Sequence, residues 1–235
     1  MRTFTTTCSL LVSALLFLGS TSAEAQTFTL TPTCPTPCGS DYLGPVWTKP
    51  SNAIYDSHTI DVRLTAATLL RSTSQHLAIS GLAAGRPFNQ DGSFTQDASN
   101  GGIGIALGRI DNNPHAKCPV DTATDDHVEL GIEQFSWRNI SSKITACTRF
   151  SKSLLAANPK LLLKLEMGCL LGDCSVSATL YNDQTGALLA SVTGKAVVSN
   201  PTATRNIWYA VTKFANETVT PSVTFQVLGQ TYLAN

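Results

Sequence analysis

Charge is scarce in this 235-residue chain, where 16 Lys and Arg balance 16 Asp and Glu and together make only 14 % of the residues. They form no basic stripe and no acidic tail, which argues against nucleic acid or a polybasic membrane surface as partner. Long apolar runs are missing after residue 18, so no membrane-inserted segment is expected in the body of the chain. The interior lacks a linker of low-complexity Ser, Gly or Pro. No Gly-x-Ser-x-Gly occurs, and His58, His76, His115 and His127 have no triad surroundings, which leaves no recognisable serine-hydrolase site. Gly102-x-Gly104-x-x-x-Gly108 lacks the lysine of a phosphate loop and opens no helix. It reads instead as small residues on a strand that a neighbour approaches closely.

What is present begins with an export signal. Arg2 precedes a short apolar stretch at residues 10–18, and Ala23-Glu24-Ala25 supplies small residues at −3 and −1 of a cleavage site before Gln26. The expected organisation is a signal peptide at 1–25, a Cys- and Pro-rich segment at 26–57, and one β-sandwich domain at 58–235. A mature chain of that length buries a sizeable core without help. Its expected location is extracellular, or periplasmic in a bacterium.

Cys8 leaves with the signal, so Cys34, Cys38, Cys118, Cys147, Cys169 and Cys174 remain. An even number in an oxidising compartment reads as three disulfides, among 15 pairings that six cysteines allow. The simplest is the local set Cys34–Cys38, Cys118–Cys147 and Cys169–Cys174. The middle bridge closes the longest loop and would contribute roughly 3 kcal/mol. Zinc is the weaker reading, because the close pairs are spaced by three and four residues rather than two. Asn139-Ile-Ser and Asn216-Glu-Thr are sequons and, in a eukaryotic source, glycosylation candidates, while Asn200-Pro-Thr is excluded by its proline.

The body of the chain reads as strand after strand. Ile60, Val62 and Leu64 alternate with Asp61, Arg63 and Thr65, and residues 128–133, 161–165, 176–181 and 223–227 alternate in the same way. Residues 207–214 are rougher. Asp91-Gly92, Asn100-Gly-Gly, Asp111-Asn-Asn-Pro and Asn182-Asp-Gln-Thr-Gly186 separate the runs as turns, the last marking the clearest hairpin. Residues 151–157 form one or two helical turns at most, ending before Pro159. The expected fold is all-β, an antiparallel two-sheet sandwich.

Residues 161–166, a loop, 175–181, a turn, and 187–192 resemble the central hairpins of concanavalin A-like jelly rolls, laminin G-like domains in particular. Residues 102–107 are similar to the strand those domains carry upstream. The resemblance covers residues 58–230 and rests on layout. It implies a sandwich that binds glycans, in some members with calcium at the sheet rim. Asp121, Asp125 and Asp126, with Asp111 nearby, carry the oxygen ligands calcium takes. They do not match an EF-hand, and solvated loop carboxylates are the simpler reading. No other cofactor is called for.

Glu129-Leu-Gly-Ile-Glu133 resembles the E-x-D-x-E strand of laminarinase-like glycoside hydrolases, which implies Glu129 as nucleophile and Glu133 as acid/base. Retaining hydrolysis uses two such carboxylates about 5 Å apart, whereas their Cα atoms lie roughly 13 Å apart along a strand. Gly131 stands where that family has Asp, and its upstream Trp-Pro segment is missing. The alternative is two solvent-facing glutamates on an amphipathic strand. Trp47, Trp137, Trp208 and Tyr209 are the aromatics available to a sugar face, with Trp137 and its neighbour Arg138 the expected exposed pair and at least two of the three tryptophans better suited to the core. The preferred function is therefore non-catalytic binding of a glycan or cell-surface component, with Glu129, Glu133, Trp137 and Arg138 as ligand-binding candidates. A glycoside hydrolase using Glu129 and Glu133 is the second reading, and a structural extracellular protein the third. Nothing in the pattern sets an oligomeric state.

Overall fold

A computed structural model describes residues 25–31, 39–49, 55–67, 75–84, 101–108, 127–136, 141–197, 205–213 and 222–234. These contain the strands β1 (Gln26–Leu30), β2 (Gly39–Lys49), β3 (Tyr55–Thr65), β4 (Gln75–Ala84), β5 (Gly101–Gly108) and β6 (His127–Ser136). The series continues with β7 (Ser141–Ser151), the short helix α1 (Lys152–Ala157), β8 (Lys160–Leu170), β9 (Asp173–Asn182), β10 (Leu188–Val197), β11 (Arg205–Lys213) and β12 (Val223–Ala234). Two six-stranded sheets result, the first in the order β1-β12-β3-β8-β9-β10 and the second in the order β2-β11-β4-β5-β6-β7. Every pairing is antiparallel. The sandwich expected from the alternating runs is the one observed.

The alternation decides which face is inside. Ile60, Val62 and Leu64 of β3, Leu161, Leu163 and Leu165 of β8, and Val176, Ala178 and Leu180 of β9 are buried from the first sheet. Ile103, Ile105 and Leu107 of β5 and Val128, Leu130 and Ile132 of β6 answer them from the second, joined by Tyr209 and Val211 of β11. Each such side chain contributes about 1.5–3 kcal/mol by leaving water. Tyr209 and Phe225 meet in this layer with ring centroids 5.1 Å apart.

The chain upstream of residue 58 is woven into both sheets. β1 pairs with β12 from Gln26↔Val227 to Leu30↔Val223, and β2 pairs with β11. Phe28 and Leu30 alternate with Thr27 and Thr29, a half-buried strand only five residues long.

Turns behave as their residues dictate. Asn182 accepts from the backbone N–H groups of Gln184 and Thr185 at 2.8 and 2.9 Å, closing the β9–β10 hairpin. Its Nδ2 donates to Asn158 at 2.6 Å, which ties that turn to the end of α1. The helix is capped by the Ser151 hydroxyl, which accepts from the Leu154 N–H at 3.2 Å. It stops at Asn158, ahead of Pro159. Among the described residues no helix is long and apolar enough to cross a membrane.

Candidate functional site

β6 carries the carboxylates that the sequence singles out. Val128, Leu130 and Ile132 face the core, so positions 129, 131 and 133 fall on the opposite face of the second sheet. Their partners on β5 are small: Gly108 opposite Glu129, Ala106 opposite Gly131 and Gly104 opposite Glu133. On the other side Arg149 of β7 stands directly across from Glu129. Its Nε donates to Glu129 Oε1 at 2.5 Å, and the Glu129 side chain is only 6 % exposed. Glu129 is therefore an internal ion-pair partner that fastens β6 to β7, not a solvent-facing glutamate. Arg149 was missed because it lies 20 residues downstream, where only strand pairing brings it to Glu129.

Cys147, opposite Gly131, is disulfide-bonded. The side chain of Glu133 lies outside the described residues, as do Trp137, Arg138, Asn139, Asn216, Cys34, Cys38, Cys118, Asp111, Asp121, Asp125, Asp126 and the signal segment. Among the described residues no group of three or more His, Cys, Asp and Glu is placed to hold a metal ion.

The first sheet offers a different kind of surface. Its outward positions run in rows across β3, β8, β9 and β10. One row is Ser57, Gly168, Ser175 and Lys195, and the next is Thr59, Glu166, Ser177 and Thr193. These residues line an open groove of about 610 Å³, with Tyr55 at one end. Four strands at ~4.8 Å spacing give it a width of ~14 Å. Thr59 continues the hydroxyl row to Thr231 of β12, to which it is hydrogen-bonded. Gly168 matters here: a Cβ at that position would lie 3.1 Å from the Tyr55 hydroxyl, so the glycine is what lets the ring lie down against β8.

Beyond the groove, away from Tyr55, the same face is closed by its own charges. Lys164 pairs with Asp61 at 3.8 Å, and Arg63 Nε with Asp183 at 2.6 Å while its Nη1 donates to Gln226 at 3.1 Å. Glu166 and Lys195 differ: neither has an ion pair or side-chain hydrogen bond among the described residues. The groove thus presents five neutral hydroxyls, one carboxylate, one ammonium and one aromatic ring to solvent. Such a set suits a neutral polyhydroxylated ligand, whose ring faces are apolar and whose edges need both donors and acceptors. The sequence held one clue, the Ser and Thr that occupy the outward phase of β3, β9 and β10 together with Tyr55.

No family model matches the chain, and no curated protein matches it in sequence. Solved structures do. Lectin I-B4 from Griffonia simplicifolia, in its metal-free form, superposes with a TM-score of 0.53 at 10 % identity, over 93 % of this chain and 96 % of that one. Basic winged bean lectin with Tn-antigen reaches 0.45 at 8 % identity, covering 89 % of this chain and 99 % of that one. The metal-free carbohydrate recognition domain of Emp46p reaches 0.43 at 13 %, over 89 % and 84 %. The likeness to lectin I-B4 is one of fold, and the fold is the concanavalin A-like jelly roll.

Proposed function

We propose that this chain is an exported, non-catalytic β-sandwich protein that binds carbohydrate at a surface, and that the groove on the first sheet is its glycan site. The observation that carries the reading is the groove itself. Among the described residues Glu166 and Lys195 have no internal ion pair to break, so a ligand would meet them at low desolvation cost. Two features support export: the signal-like first 25 residues, and the Cys169–Cys174 bridge, which suits an oxidising compartment. A fold shared with a lectin agrees with the reading.

The hydrolase alternative is weaker, because Glu129 would have to release Arg149 and reach solvent before it could attack a glycosidic carbon. Glu129, Glu133, Trp137 and Arg138 remain the competing binding candidates, with calcium at Asp121, Asp125 and Asp126 the candidate ion. A glycan array, run with and without a calcium chelator and beside a reducing-sugar assay on a polysaccharide panel, tests all of these. Retention of a glycan without sugar release is expected. Tyr55→Ala should weaken it about tenfold, equivalent to ~1.4 kcal/mol, with Trp137→Ala near neutral. The reverse ranking would move the site to Trp137, chelator-sensitive retention would bring in the calcium, and sugar release lost in Glu129→Ala would make the protein an enzyme.

A further inference from the structure

The outer face of the first sheet changes character along the strands, and the change continues past the groove. At one end it is closed by the Arg63–Asp183 and Lys164–Asp61 pairs, and the groove occupies the middle. The other end is apolar. Tyr55, Leu170 and Val197 share the next row with Asp173, Leu171 forms the β8–β9 turn beyond it, and Leu233 of β12 stands beside Ser57. Tyr55, Leu170, Leu171, Val197 and Leu233 are 41–69 % exposed. Among the described residues the only other exposed large apolar side chain is Leu188. Concentration at one end of one face is what separates a recognition patch from the scattered apolar residues of any surface.

A second observation points the same way. Leu171 has φ 52° and Gly172 φ 90°, so the β8–β9 turn is left-handed at both central positions. Asn or Asp before Gly is the ordinary choice for such a turn, and leucine there costs about 1–2 kcal/mol. The strained leucine is nevertheless fully outward, and the Cys169–Cys174 bridge beneath it clamps the two strands. An apolar side chain thus stands out into water from a disulfide-clamped turn, just beyond a polar groove. The two surfaces are continuous, because Tyr55 lines the groove and opens the apolar row. Successive rows on one face are ~7 Å apart, close enough for one small ligand to touch both.

Resting on the glycan-site reading above, we infer that the ligand is a glycoside with an apolar aglycone: the sugar lies over Ser57, Glu166, Ser175, Ser177 and Lys195, and the aglycone runs over Tyr55 onto Leu170 and Leu171. The aglycone is an aliphatic chain, and an alkyl glycoside is its simplest probe.

The test is calorimetric titration of the whole mature protein. The ligands are glucose, galactose, mannose and N-acetylglucosamine, each free and as its octyl glycoside below the micelle-forming concentration, with octyl tetraethylene glycol ether as the sugar-free control. At least one octyl glycoside should bind about tenfold or more tightly than its free sugar, as burial of several methylenes requires. That ratio should fall below about threefold in Leu170→Ser/Leu171→Gly, with free-sugar affinity unchanged, because neither residue lines the groove. Equal affinity for free and octyl forms would overturn the aglycone site and leave the glycan site standing. Equal affinity for the sugar-free ether would reduce the patch to unspecific stickiness and overturn it as well. Failure of every sugar, free or alkylated, would remove the glycan reading and this inference with it.

Discussion

Two buried polar groups make opposite demands on the fold. The Tyr209 hydroxyl sits within the apolar layer and finds no hydrogen-bond partner among the described residues. Burial raises its proton affinity far above that of an ordinary tyrosine. Tyr209→Phe removes a desolvated hydroxyl and keeps the ring against Phe225, so it should stabilise the protein by about 1 kcal/mol in urea titration. The pH consequence has a definite sign. Above pH ~10 the unfolded tyrosine loses its proton while the native one keeps it, so stability falls with rising pH. Tyr209→Phe should flatten that alkaline loss, and an unchanged profile would mean that other groups cause it. Glu129 is the contrary case, since its burial is compensated by Arg149. Glu129→Ala should cost about 3 kcal/mol by stranding the guanidinium, and adding Arg149→Met should recover most of it. Additive losses in the double variant would show that the two side chains act separately.

Hairpins show which elements the sequence makes legible. Asn182-Asp-Gln-Thr-Gly186 announced its turn through residues that satisfy backbone groups locally, and the strands on either side obey the period of two. The β8–β9 turn is legible in the sequence only as a loop between residues 166 and 175, because leucine gives no turn signal. Leu171→Gly should therefore stabilise the hairpin by about 1 kcal/mol, since glycine adopts the left-handed backbone without strain. A loss of stability on thermal unfolding would mean that the leucine packs against something, contrary to its exposure. The groove lies at the other extreme of legibility. Its rows join residues 57, 168, 175 and 195, and Ser, Thr and Gly carry no chemical signature when read one strand at a time. The Glu129–Arg149 pair was hidden for the same reason: a motif search follows the chain, whereas a sheet assembles its surface across it.

At the level of the whole molecule, what was read well was the interior. The alternating runs at 60–65, 128–133, 161–165 and 176–181 land with their inward phase in the core, Leu162 and Tyr181 falling on the outer one. What composition obscured was the role of residues 26–57, whose cysteines and prolines look like an appendage, while β1 and β2 are the outermost strands of the two sheets. The chain passes between sheets repeatedly. β1 and β12 close one sheet edge, β2 pairs with β11 in the other, and β3 to β10 supply the remaining strands of both. Each sheet joins strands far apart in the sequence, β1 with β12 in the first and β2 with β11 in the second, so neither layer is complete before the early and late parts of the chain have met. Unfolding should therefore be a single transition in urea, with far-ultraviolet circular dichroism and tryptophan fluorescence coincident despite the chain length. A fragment starting at residue 58 would lack β1 and β2 and expose the edges of β12 and β11, which pair with them. That fragment should aggregate or bind a hydrophobic dye strongly, whereas the chain from Gln26 should not. A soluble, cooperatively folding fragment would show that the first two strands merely decorate a self-sufficient sandwich.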